Sequence, residues 1–170
     1  MTTTTGKLGG PVTDDELVRL FKSNPGWKFE RDDHGELVVS PTSTSGGART
    51  GAAYQQLCAY AKQAGGQASD TSIGFRTPRG GVVCPEASWI SAERLARHRS
   101  DKSLWPMMPD VAIEIASYTT DWPKLKKKID RYVEHGAGYA LAVDPRSHRT
   151  YERGQRPEGL ALDLAAMWDV

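Results

Sequence analysis

The segment that most limits what this chain can become is 111–117: Val111, Ala112, Ile113, Glu114, Ile115, Ala116, Ser117. Its composition is that of a buried strand, bounded by Pro109-Asp110 before it and by the polar run Tyr118-Thr119-Thr120-Asp121 after it. Side chains alternate across a strand, so Val111, Ile113 and Ile115 share one face, while Ala112, Glu114 and Ala116 share the other. Glu114 is the one carboxylate inside this apolar strand, and the alanines beside it leave room for another group to approach. Such a carboxylate is costly to bury unless it is paired or bound to a cation.

A second segment repeats the pattern. Residues 82–90 are expected to be extended, with Val82, Cys84, Glu86, Ser88 and Ile90 on one face and Glu86 as the only charge. Taken singly, either acid is as readily a satisfied structural carboxylate. As neighbours in one sheet, the two would lie close and repel, and a divalent cation between them would offset both repulsion and desolvation. A helix follows from 121 or 122 to 135, with Pro123 allowed in its first turn and Gly136 ending it. Leu125, Ile129, Tyr132 and Val133 form its apolar stripe. At 100° per residue Lys128 falls at the stripe's edge, Lys126 flanks the other side, Lys127 points to water, and Lys124 lies one turn before Lys128. A solvated basic face is the commoner fate of such a run. Two carboxylates and a lysine nevertheless form a chemical set. Mg²⁺ or Mn²⁺ is held by oxygen ligands, polarises a scissile phosphate and helps to deprotonate a water. An ammonium group orients that water or neutralises developing charge. That is metal-dependent phosphodiester cleavage.

The remaining pattern fills in a layout. Residues 1–12 read as a flexible tail, and Thr13 with Glu16 as a capping box opening a helix to about residue 22. Segments 27–31 and 36–40 flank Asp32-Asp33-His34-Gly35, a hairpin signal. A helix is expected from about 49 to 64, with Tyr54, Leu57, Cys58 and Ala61 on one stripe. Extended stretches are expected at 72–76, 139–143 and 149–153, partial helix within 91–105, and a short apolar segment of unassigned type after 160. Together these give an α/β or α+β layout with a single mixed sheet. A length of 170 residues suggests one domain, 13–170. The net charge of +1 carries no global basic footprint, so any nucleic-acid role must rest on a local patch. With two cysteines and no apolar leader, neither a disulfide framework nor export is indicated, no membrane span is expected, and the cytoplasm is the default.

The stretch from Trp27 to about Arg153 resembles the Uma2 or DUF820 proteins, a branch of the PD-(D/E)XK nuclease-like superfamily. The matching segments are Glu36 to Thr42; Ser72-Ile73-Gly74-Phe75-Arg76 followed by Cys84-Pro85-Glu86-Ala87-Ser88-Trp89-Ile90; Met108 to Ser117 with Asp121; and Lys128-Ile129-Asp130-Arg131-Tyr132, Gly136 and Val143-Asp144-Pro145. The resemblance implies a restriction-endonuclease-like core, a mixed central sheet flanked by helices with an N-terminal β-hairpin. It also implies an Mg²⁺- or Mn²⁺-dependent DNA endonuclease. The family's first metal-binding acid maps to Glu86, which stands where the family has Asp, and the second maps to Glu114. The Ile115 carbonyl completes the implied metal site. The standard lysine position is Ala116 here, and the implied catalytic lysine is Lys128 on the following helix. The polar loop Thr42-Ser43-Thr44-Ser45 lacks the Glu or His that many relatives carry near their first core helix.

Phosphate contacts are expected from Arg49, Arg76, Arg79 and Lys124, with a homodimer as the form that would cut both strands. The alternative is a nuclease-fold protein that binds nucleic acid or a protein partner without cutting. A zinc deaminase built on His34-Gly35-Glu36 and Cys84 is disfavoured, because Cys84-Pro85 reverses the signature order and no second cysteine follows. Trp89, Trp105 and Trp122 are expected mainly in the core.

Overall fold

The computed structural model describes residues 4–6, 11–24, 26–41, 44–98 and 104–168. The first helix, α1 (Asp14–Ser23), starts at the expected cap: the Glu16 N–H donates to Thr13 Oγ1, and the Thr13 N–H donates back to Glu16 Oε2 at 2.8 Å. The hairpin β2 (Trp27–Arg31) and β3 (Leu37–Pro41) follows. Asp32 Oδ1 accepts from the His34 and Glu36 N–H groups, and Gly35 takes φ +84°, where a Cβ would also strike Pro11. The segment expected as a tail contributes a strand, β1 (Thr4–Gly6), antiparallel to β3.

The helix expected from 49 starts earlier: α2 spans Thr44–Ala64. After it come β4 (Gln67–Asp70), which the polar sequence did not announce, β5 (Gly74–Arg76), β6 (Val82–Val83) and β7 (Ala87–Ile90). Next are α3 (Ala92–Arg97), β8 (Leu104–Trp105) and β9 (Val111–Ile115). The helix α4 (Trp122–Glu134) is capped by Asp121, whose Oδ1 accepts from the Lys124 N–H at 3.1 Å. The chain closes with β10 (Tyr139–Asp144), β11 (Arg149–Gly154) and α5 (Ala165–Trp168). Gln56 fixes the approach to α5 by exchanging hydrogen bonds with the Asp163 backbone.

The strands form two sheets, not one: β1-β3-β2-β6-β5-β8 and β11-β10-β9-β7-β4. The expected strand 82–90 is where they part. Pro85 has no N–H to donate to a ladder, and the Cys84 N–H is taken by Glu30 Oε1 at 2.8 Å. Pairing therefore stops, and the chain leaves the first sheet through β6 and enters the second through β7.

In the five-stranded sheet only β9 and β10 are parallel, joined by the α4 crossover. The alternation read from β9 holds. Val111 and Ile113 pack with Leu57 and Ala53 of α2 and Met167 of α5, whereas Ala112 and Ala116 pack with Leu125, Ile129 and Tyr132 of α4. Trp89 and Trp105 are buried; Trp122 is half-buried beneath the Arg149 guanidinium. The six-stranded sheet has its own core of Val12, Leu17, Phe29, Leu37, Val82 and Leu104. No helix among the described residues is long and apolar enough to cross a membrane.

Candidate active site

Glu86 sits at the joint between the two sheets. Ala87 pairs with Ile113 and Ser88 with Ala112, so one step further along the same register Glu86 comes opposite Glu114. Both carboxylates enter a cleft of about 1010 Å³ walled by β2, the first half of α2, the loop after β9 and α4. Ala142 of β10 lies beside Glu114 and, being small, leaves that face open to α4.

The two acids converge on one cation. Lys28 of β2 places Nζ 3.2 Å from Glu86 Oε1 and 3.4 Å from Glu114 Oε2. Their other oxygens are held separately: Glu86 Oε2 accepts from the Thr50 hydroxyl at 2.6 Å, and Glu114 Oε1 from the Tyr132 hydroxyl at 2.5 Å. Lys128 reaches over from α4, with Nζ 3.0 Å from Glu114 Oε1 and 3.0 Å from both oxygens of Glu30. The edge position deduced for Lys128 is thus the position it takes.

The electrostatics follow from this packing. Burial raises the Glu114 pKa, but Lys128 and Lys28, with the Tyr132 hydrogen bond, outweigh it and bring the pKa down to about 2. Burial disfavours the Lys28 ammonium, yet Glu114, Glu86 and Glu30 hold its pKa well above the ordinary lysine value. Burial, then the facing Glu114, pushes the Tyr132 hydroxyl up, so it is a hydrogen-bond donor at neutral pH. Cys84 is buried and its thiol is also pushed up, mainly by desolvation, which leaves it protonated.

Of the other expected residues, Ile115, Arg49 and Lys124 line the same cleft. Arg49 has its Nε buried with no hydrogen-bond partner among the described residues. Arg76 and Arg79 are elsewhere. Arg76 is engaged by Asp14 at 2.9 and 2.5 Å, and Arg79 is exposed on its turn; neither lines the cleft. His34 is exposed on the hairpin turn while Cys84 is buried, which removes the deaminase reading. The sequence reasoning missed Lys28, Glu30 and Thr50, and took Tyr132 only as core. The available signal was the alternation in β2, where Lys28 and Glu30 share the face opposite buried Phe29.

No group of three or more His, Cys, Asp or Glu side chains among the described residues is arranged to hold a metal ion. The two carboxylate oxygens that meet the Lys28 ammonium are hard donors of the kind a divalent ion takes, and backbone carbonyl and water would have to supply its remaining positions.

Two mixed sheets flanked by helices, with acids brought together at the cleft between them, make this an α/β protein of the restriction-endonuclease-like fold. The sequence matches the Uma2 model, described as "Putative restriction endonuclease", over residues 14–162, and the chain belongs to that family. The fold is similar to the crystal structure of "a putative nuclease belonging to DUF820" from Anabaena variabilis ATCC 29413, with TM-score 0.69 and 18% identity, covering 93% of this chain and 98% of that one. No curated protein matches the sequence.

Proposed function

We propose that this chain is a divalent-cation-dependent endonuclease that hydrolyses DNA phosphodiester bonds in the cleft between its two sheets. The observation that carries the reading is the convergence of Glu86, just before β7, and Glu114 of the neighbouring β9 on one positive charge. Glu86, Glu114 and the Ile115 carbonyl would hold Mg²⁺ or Mn²⁺, which when bound supplies Lewis-acid polarisation of the phosphate and a more acidic water.

The chain's own groups do the rest. Tyr132 and Thr50 fix the two carboxylates by hydrogen bonds to their outer oxygens. Lys128 stands 3.0 Å from Glu114, where its ammonium can hold an attacking water or neutralise charge building on the phosphate oxygens. Lys124 and Arg49, whose Nε has no hydrogen-bond partner among the described residues, line the approach and would receive flanking phosphates. The cleft lining carries six lysines and arginines against seven carboxylates. A polyanion therefore gains little there until a divalent cation is added, and affinity should fall with salt. Cutting both strands of a duplex would take two copies of the chain.

The family description and the structural likeness support a nuclease. One observation favours the second reading, a protein that binds without cutting: the Lys28 ammonium already stands between the two acids. Nicking of supercoiled plasmid separates them. The enzyme reading expects nicking with Mg²⁺ or Mn²⁺, none with chelator, and a loss of at least about a hundredfold in Glu114→Gln. Binding without nicking under any cation would establish the alternative.

A further inference from the structure

Among the described residues Lys28 is the cation that meets both Glu86 and Glu114. Its ammonium meets Glu86 Oε1 at 3.2 Å and Glu114 Oε2 at 3.4 Å, with Glu30 Oε1 at 3.9 Å. The hydroxyls of Thr50 and Tyr132 hold the opposite oxygens of the two acids, so the carboxylates stay aimed inward whether or not Lys28 is there. A divalent ion needs carboxylate oxygens at roughly 2.0–2.6 Å and would have to draw on the same two oxygens. Two cations at one pair of oxygens repel, and one must leave.

We propose that the Lys28 ammonium is the resting occupant of the cation position between Glu86 and Glu114, and that it withdraws when a divalent ion enters; this rests on the two-carboxylate reading above. The arrangement solves a physical problem of the empty site. Glu86 and Glu114, with Glu30 facing them, would be strongly destabilising without counter-charges; Lys128 serves Glu30 and the outer side of Glu114, and Lys28 alone supplies a charge between Glu86 and Glu114, from the other sheet. A lysine suits the task because its four-carbon stem is flexible and its charge is a compact point. Lys28 itself lines the cleft, so a withdrawn ammonium stays inside it, within range of a bound phosphate. Lys28 is thus a positioning residue that trades metal affinity for stability of the metal-free chain.

The test is titration of the full chain with Mn²⁺ alone, followed by calorimetry and by thermal melting, for wild type, Lys28→Met and Lys28→Gln. The expected result is Mn²⁺ bound at least about tenfold more tightly by both variants, with a larger Mn²⁺-induced rise in Tm than in wild type. A purely structural lysine would lower Tm on removal without tightening metal binding. A variant unfolded in chelator should fold when Mn²⁺ is added, and failure to do so counts against the inference. Equal or weaker Mn²⁺ binding in the variants, with wild type binding normally, overturns the role of Lys28 and leaves the carboxylate site standing. No Mn²⁺ binding by any of the three removes the site itself, and the inference with it.

Discussion

Two buried carboxylates on neighbouring strands, Glu114 of β9 and Asp144 of β10, are neutralised in opposite ways. Asp144 is closed by its own turn. It accepts from the Arg146 N–H at 3.2 Å, the Ser147 hydroxyl at 2.9 Å and Arg149 Nε at 3.1 Å, all within five residues, and it does not line the cleft. Glu114 draws its partners from elsewhere: Lys28 from the other sheet, Lys128 and Tyr132 from α4. A locally closed acid is finished when its turn forms, and its arginines are about half exposed. An acid held by residues from distant segments creates a place that other ligands can contest.

The largest test of that contrast is stability. Glu114→Gln takes the shared carboxylate from two ammonium groups, leaving Lys28 with Glu86 and Lys128 with Glu30, and should cost about 3 kcal/mol. Asp144→Asn should cost about 1–2 kcal/mol, since water can take over its arginines. Urea unfolding of both variants decides it, and equal losses would erase the distinction. Acid titration sharpens it. The Glu114 pKa is lowered from an ordinary 4.5 to about 2, so its contribution is present above pH 4.5 and lost as pH falls through about 2. Glu114→Gln should therefore lose less stability than wild type between pH 5 and 2, as read by melting at each pH. A parallel pair of curves would contradict the assignment.

The contrast was half legible in the sequence. Strand alternation placed Glu114, and helical phase placed Lys128 at the core edge, because each depends on local geometry alone, whereas Glu86 lies at the break before β7 and not inside the strand expected for it. For the partners from β2 only a shared face was legible, not its burial. Lys28 and Glu30 alternate with Phe29 as a solvent-facing strand would, and only the folding of one sheet across the other buries them. The division into two sheets was hidden for a related reason. Residues 82–90 alternate continuously, and the break depends on Pro85 together with Glu30, which comes from 54 residues earlier in the chain than Cys84. The strand β4 is polar, and β1 lies among threonines and glycines with little to mark it.

Smaller effects probe the supports. Asp121→Ala removes the cap of the helix that carries Lys128 and Tyr132, and should cost about 1 kcal/mol by urea unfolding. The smallest change concerns Arg76, one of three arginines that sequence reasoning had assigned to DNA. Arg76 is spent on Asp14 and is a third exposed, so Arg76→Ala should change stability by at most about 1 kcal/mol and leave oligonucleotide affinity unaltered. Lys124→Ala, which alters the cleft, should weaken binding and reduce its salt dependence in the same assay.

The most direct measurement is anomalous diffraction from crystals grown with Mn²⁺. The account predicts one peak coordinated by Glu86 and Glu114, with Lys28 Nζ moved out from between them. A structure at saturating Mn²⁺ in which Lys28 still bridges the two acids and the metal lies elsewhere would contradict it.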